Sequence, residues 1–280
     1  MSEQESRLAD LAATAERATG EASRYLAERF EDGRLDAKYT AMDVKTEADV
    51  GAESRILAVL RDAYPDHPIT AEESGHHSGD GDVRWAVDPL DGTNNFAIGS
   101  PMIGVAVTAI GAAGTEWAGK SLATALALPT MDEQYVATHG GGVRLNGEPV
   151  SVADGDGVGP SKATVACVIG QPVLTRERLA ADHDAISDEI RGAAKRLIHT
   201  WAPIVYWGLL AKGGLDAFVS FYPDEREQAA GSLVASEAGC VRRGDGPLTV
   251  FAATEETADR LWDAAMGALD GTPTPRADLD

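Results

Sequence analysis

Apolar residues recur at helical spacing through the first thirty positions, with Leu8, Leu11, Ala12, Ala15, Ala18, Ala22, Tyr25 and Leu26 on one face. This pattern predicts a long amphipathic helix. A second is predicted after Thr46, with Val50, Ile56, Leu57, Val59 and Leu60 on its apolar side and Tyr64-Pro65 at its end. The period then shortens to that of strands, at 68–71, 85–87, 104–110, 121–128 and 134–138. The apolar run 102–113 is read as a buried strand. Residues 143–150 predict a hairpin turned on Asn146-Gly147, a strong short-range turn signal. Turn formers crowd 153–160 and mark a soft boundary, which divides the chain into 1–153 and 154–280. Beyond it strands at 164–169, 196–199, 216–221 and 249–253 alternate with helices near 175–190, from Pro203, from about 226, and up to about Ala268. Gly271-Thr-Pro-Thr-Pro275 begins a frayed tail. This order fits an α/β (α+β layered) protein of two mixed sheets interleaved with helices better than a barrel or a bundle.

Charge narrows the choice of partners. The 280 residues carry 24 Lys plus Arg against 45 Asp plus Glu, a net charge of −21. Phosphate backbones and anionic membranes repel such a chain, and no basic stripe with interleaved aromatics is present, so nucleic acid and membrane are excluded as expected partners. No apolar run approaches the roughly 20 residues of a membrane span. The acidic start, Met1-Ser-Glu-Gln-Glu, is unlike a signal peptide, and a cytoplasmic protein is expected. Only six of the 24 cations are Lys. Abundant acid with scarce Lys suggests a halophilic origin, where salt screens self-repulsion. Equal stability and activity in dilute buffer and in molar KCl would refute that reading. Cys167 and Cys240 lie in apolar stretches without metal-type spacing and are read as buried free thiols.

An acidic protein that handles an anionic substrate needs a divalent cation between them. Trp85-Ala-Val-Asp88-Pro-Leu-Asp91-Gly-Thr93-Asn-Asn-Phe96 offers such a place. An apolar strand delivers Asp88 to its end, Pro89 and Gly92 force a turn, and Asp91 follows three residues on. Gly92 and Thr93 open a helix whose free N–H groups suit a phosphate. Hard oxygen donors so clustered suit Mg²⁺. Glu72-Glu73-Ser74 adds two carboxylates, and Thr46 to Asp49 opens the second helix.

These segments resemble the inositol monophosphatase family of Mg²⁺-dependent phosphatases. The D-P-[IL]-D-G-T-x-N-F motif is matched throughout from Asp88 to Phe96, G-E-E-S by Ala71-Glu72-Glu73-Ser74, and T-x-x-D by Thr46 to Asp49. The resemblance extends from about residue 8 through Gly239. It implies an αβαβα sandwich of the sugar-phosphatase type. It also implies two or three Mg²⁺ held by Glu72, Asp88, the Leu90 carbonyl, Asp91 and the residue at 227. Thr93 and Asp49 would position and deprotonate the attacking water, which Glu72 helps to orient. Gly92, Thr93 and Asp91 would meet the substrate, a small phosphorylated metabolite. Family members commonly form dimers, so a homodimer is one implied assembly.

The second half departs from the pattern. The signature W-D-x-A-A-G-x-x-[LV]-x-x-E-A-G-G reads Arg226-Glu227-Gln-Ala-Ala-Gly231 through Glu237-Ala-Gly239-Cys240, so the family's ligating Asp is here Glu227. Asp224 and Glu227 also have the spacing of a helix cap and its third residue, an alternative role for Glu227. Thr46 and Asp49 have the same spacing. The small pair that touches substrate in relatives becomes Trp201-Ala202, and Ser220 stands where inositol-specific members carry Glu. Ser220, Tyr222, Arg226 and Trp201 are therefore candidates for an altered pocket. Inositol 1-phosphate and fructose 1,6-bisphosphate are the leading substrate types, with 3′-phosphoadenosine 5′-phosphate and a non-catalytic phosphate-ligand binder as alternatives. His76-His77 are read as a mobile polar loop, and the other histidines, Trp201 and Trp207 as packing residues.

Overall fold

The computed structural model describes residues 2–33, 37–39, 44–155, 157–269, 271 and 273–274. The chain begins with α1 (Glu3–Glu31), whose Ser2 cap and Glu5 form a reciprocal capping box. Strands β1 (Ala37–Tyr39) and β2 (Val44–Thr46) pair with each other, and α2 (Glu47–Ala63) follows directly. Then come β3 (Ile69–Ala71), β4 (Gly75–His77), β5 (Val83–Asp91), the short helix α3 (Thr93–Ala97), β6 (Gly104–Gly111), β7 (Ser121–Leu128), β8 (Glu133–Thr138), β9 (Gly142–Leu145) and β10 (Glu148–Val150). Together these eight strands form one sheet in the order β10-β9-β8-β7-β6-β5-β3-β4. The remainder supplies β11 (Thr164–Ile169), α4 (Gln171–Thr175), α5 (Glu177–Ala193), β12 (Arg196–His199), α6 (Pro203–Ala211), β13 (Ala217–Phe221), α7 (Glu225–Glu237), β14 (Val241–Arg243), β15 (Leu248–Ala252) and α8 (Glu255–Gly267). Its five-stranded sheet runs β12-β11-β13-β15-β14, with β11 parallel to both β12 and β13.

Strand alternation sorts the side chains into layers. On β6, Val105, Val107 and Ala109 face α1 and α2, whereas Ala106 faces the opposite side. That second side packs on α6 and α7, which also cover Phe218 and Phe251 of the smaller sheet. The alternate residues Val165, Cys167, Val219 and Val250 turn outward onto α5 and α8. The result is the expected αβαβα sandwich. The middle core draws residues from both sides of position 153, such as Leu126 and Trp207. Helices α6 and α7 meet closely because Gly231 is bare: a Cβ there would lie 2.1 Å from the Trp207 indole.

Several expectations are corrected. Val50, assigned to the apolar side of α2, is 58% exposed, since the helix buries Ala48 and Ala52 alongside the expected Ile56, Leu57 and Leu60. Trp201 precedes α6 and is 55% exposed, so of the two tryptophans Trp207 alone is a packing residue. His76-His77 belong to strand β4, paired antiparallel with β3, and not to a loop. Cys167 is buried and Cys240 only half-buried, both as free thiols. Of the predicted tail, residues 272 and 275–280 lie outside the described residues. No helix among the described residues is long and apolar enough to cross a membrane.

Candidate metal and phosphate site

In a regular strand, residues three apart point to opposite faces, so Asp88 and Asp91 would diverge. Strand β5 avoids this with a bulge. Asp88 pairs with Ala106 and Asp91 with Gly104, so three steps on β5 match two on β6. The extra residue resets the alternation and brings both carboxylates to one side. The bulge contains Pro89, which has no N–H to lose from the ladder. The strand therefore continues to Asp91, where the sequence pattern predicts a turn at Pro89. Gly92 then adopts a left-handed conformation (φ 85°) and starts α3; a Cβ there would meet the Met102 carbonyl at 2.8 Å and Ala202 at 3.1 Å.

Carboxylate oxygens of Asp88, Asp91 and Glu227 lie within 4.8 Å of one another. Asp88 and Asp91 are buried. One Asp91 oxygen accepts the Ile204 amide at 2.6 Å, at the start of α6. Asp88 Oδ1 is buried without a hydrogen-bond partner among the described residues. Burial raises the pKa of Asp88 well above the usual range, and the Glu72 and Asp91 charges add to this. Asp91 is raised in the same way, by burial and then by Glu227. Glu227 is pushed up to about 8, by burial and by Asp224 and Glu72. Like charges crowded out of water favour protons, or a cation in their place.

Glu227 is not used as the third member of a capping box. Asp224 caps α7 by accepting the Arg226 amide at 2.8 Å, while the Glu227 carboxylate joins the two aspartates. Glu72 stands at the rim with its side chain 38% exposed and is pushed up to about 7 by desolvation, against the opposing charge of Arg226. Arg226 reaches Glu72 at 3.8 Å and holds Asp224 through Nε and Nη2 at 3.1 and 3.2 Å. A guanidinium therefore sits beside the cluster where the family signature carries Trp.

Thr46 and Asp49 do form a capping box on α2. Asp49 also does more: Oδ2 accepts the Thr46 amide and hydroxyl at 2.8 and 2.6 Å, and Oδ1 accepts the Thr93 hydroxyl at 2.9 Å. Burial raises Asp49 despite these bonds. The Thr93 hydroxyl also lies 3.1 Å from the Leu90 carbonyl. Glu53, one turn beyond Asp49 on α2, escaped the sequence reading. It is buried and accepts the amides of Glu73 and Ser74 at 2.7 and 2.9 Å, fixing the turn that presents Glu72. An acid at i+4 from Asp49 on a buried helix face was the available signal. Ser220 stands apart: it is fully buried and its hydroxyl pairs with Thr249, which Gln228 also contacts at 3.0 Å. The structure leaves Ser220 no exposed surface for a substrate.

The fold thus gathers an oxygen-rich carboxylate cluster that could hold a cation, with a hydroxyl–carboxylate pair beside it. Residues 5–268 match the sequence profile of the inositol monophosphatase family. The chain belongs to that family. It is 32% identical to Nus factor SuhB of Pseudomonas aeruginosa over 71% of both chains. It is also 28% identical to a fructose-1,6-bisphosphatase/inositol-1-monophosphatase of Aquifex aeolicus over 71% of each. The fold is shared with the extragenic suppressor protein suhB of Bartonella henselae (TM-score 0.80, 22% identity, 92% of this chain and 99% of that one).

Proposed function

We propose that this protein is a Mg²⁺-dependent phosphatase that hydrolyses a small phosphomonoester of the inositol 1-phosphate or fructose 1,6-bisphosphate type. The observation that carries the reading is the unpartnered, buried Asp88 Oδ1 inside a cluster of carboxylates, next to the Thr93–Asp49 pair. The donor set fits Mg²⁺: all its members are hard oxygens, and one oxygen of Asp88 is buried without a partner among the described residues. Glu72, Asp88, Asp91, Glu227 and the Leu90 carbonyl would hold two or three ions. Such cations supply Lewis acidity, lowering the pKa of a coordinated water and neutralising phosphate charge. Thr93 orients the attacking water through its hydroxyl, and Asp49 receives the proton through that contact. Gly92 and Thr93 line the phosphate end of the site. Water adds to phosphorus as the P–O bond to the leaving group breaks, and the departing alkoxide takes a proton to give the alcohol and inorganic phosphate. The relative from Aquifex aeolicus, with both activities in its name, supports this substrate class.

A second reading, an assembly subunit that binds a phosphorylated ligand without turnover, draws on the name Nus factor of the Pseudomonas aeruginosa relative and on the exposed Trp201 beside Ala202. The test is phosphate release with Mg²⁺ at high KCl from inositol 1-phosphate, fructose 1,6-bisphosphate and 3′-phosphoadenosine 5′-phosphate, together with a count of bound Mg²⁺. Turnover of either of the first two with at least two ions supports the phosphatase; release from the third alone corrects the substrate. A folded protein that is silent on all three and holds one ion supports the binder.

A further inference from the structure

A second constellation of metal-ligating side chains lies on the outer face of the smaller sheet, toward α5. Cys167 on β11 and His199 on β12 are register partners in the parallel pair, so their side chains emerge side by side on one face. Helix α5 crosses this face and brings His183 over them. Ligand atoms of Cys167, His183 and His199 lie within 4.8 Å of one another. The two imidazoles meet edge to face, with centroids 5.2 Å apart. The catalytic reading uses none of the three residues.

The donors match a borderline-soft cation. One thiolate and two imidazoles are ligands of Zn²⁺, and three protein donors leave a fourth tetrahedral position for water. Each imidazole in its neutral form offers one lone pair. On His199 the lone pair can be located. Arg191 Nη2 lies 3.2 Å from Nε2, and since a guanidinium only donates, that nitrogen is the acceptor. Arg191 is also held by Asp188 at 2.6 Å, which gives it an anchor if a metal takes its place. Asp184 Oδ1 lies 3.5 Å from His183 Nδ1, as an outer carboxylate would beside a ligating imidazole, and a metal at Nε2 would displace the Ser187 hydroxyl that lies 3.2 Å from it. Burial opposes ionisation of the Cys167 thiol, pushing it up to about 12, so the metal must displace the S–H proton to the buffer as the S–Zn bond forms.

We propose that Cys167, His183 and His199 form a Zn²⁺ site that ties β11, the edge strand β12 and α5 together. The test is a Co²⁺ titration of the chelator-treated full chain under excess Mg²⁺, which keeps the carboxylate cluster occupied. A thiolate-to-cobalt charge-transfer band reports sulfur ligation, which carboxylates cannot produce. One equivalent of Co²⁺ is expected to raise the band, Zn²⁺ to displace it, and Zn²⁺ to raise Tm. The band should persist in Cys240→Ser and vanish in Cys167→Ser. His199→Ala, at an exposed position, should weaken binding by about tenfold or more. Arg191→Gln should tighten it by removing a competing cation. Absence of the band in the wild-type chain, or its survival in Cys167→Ser, overturns the site. If Cys167→Ser does not fold, an unchanged affinity in His199→Ala overturns it instead.

Discussion

Asp88→Asn separates the two roles that the acidic cluster combines. Asp88 is 2% exposed and its Oδ1 has no hydrogen-bond partner among the described residues, so the carboxylate contributes little to the fold as an acceptor. Its charge lies within 4.8 Å of those of Asp91 and Glu227. At an effective dielectric constant near 20, each fully ionised pair at that separation repels by about 3 kcal/mol. In the metal-free fold proton uptake relieves part of this repulsion, and the amide removes what remains at nearly constant volume. The metal-free variant should therefore melt at or above the wild-type temperature. Mg²⁺ at about one hundred times its Kd adds about 2.7 kcal/mol to the wild type. For a chain of this size that corresponds to a rise in Tm of about 5–10 °C. The variant should lose that rise. It should also lose about a thousandfold or more in kcat/KM, the equivalent of several kcal/mol of transition-state charge stabilisation. Differential scanning fluorimetry with and without Mg²⁺, run beside a phosphate-release assay, reads all three quantities. A variant that keeps both the Mg²⁺-induced shift and near-normal turnover refutes the metal assignment.

Three further outcomes are expected. Thr93→Val removes the hydroxyl that Asp49 accepts and should lower kcat by about 10²–10⁴ with little change in KM, while Thr93→Ser should restore most of it; equal rates in the two variants would eliminate the hydroxyl from the chemistry. Glu53→Gln replaces a carboxylate that holds the Glu73 and Ser74 amides and should weaken Mg²⁺ activation by about 10–100-fold, measured as the Mg²⁺ concentration for half-maximal rate; an unchanged value would show that the Glu72 turn holds itself. The third concerns pH. Glu72 and Glu227 are raised from 4.5 to about 7 and about 8 in the metal-free fold, so the folded state retains protons that the unfolded chain releases. Their contribution is complete below about pH 4.5 and is lost as pH rises through 7–8. In chelator, Tm should fall over that window, and Mg²⁺ should flatten the fall; a flat profile in chelator would contradict the raised values.

Much was legible in the chain because it is local. Helix periodicity placed α1 and α2, and alternation placed β7, β11 and β12 at their observed bounds. Asn146-Gly147 sits at the β9–β10 turn with φ of 49° and 88°. These features depend on neighbours within one or two turns of backbone, whose preferences are written in their own side chains. The motif from Asp88 to Phe96 likewise carried the family and most of the candidate site. Tertiary structure decided the rest. Asp88 and Asp91 share a face only because β6 imposes a bulged register, which no spacing within β5 reveals. Glu227 could serve a helix end or a cation site until packing of α7 against the large sheet brought it to the aspartates. Arg226 reaches Glu72, and Ile204 meets Asp91, across more than a hundred residues of chain. Cys167, His183 and His199, unremarkable in sequence, become neighbours through parallel strand register and the helix laid over it. Propensity acts between residues close along the chain, whereas a binding site is a meeting of distant ones, and that meeting is set by how the layers bury their apolar faces.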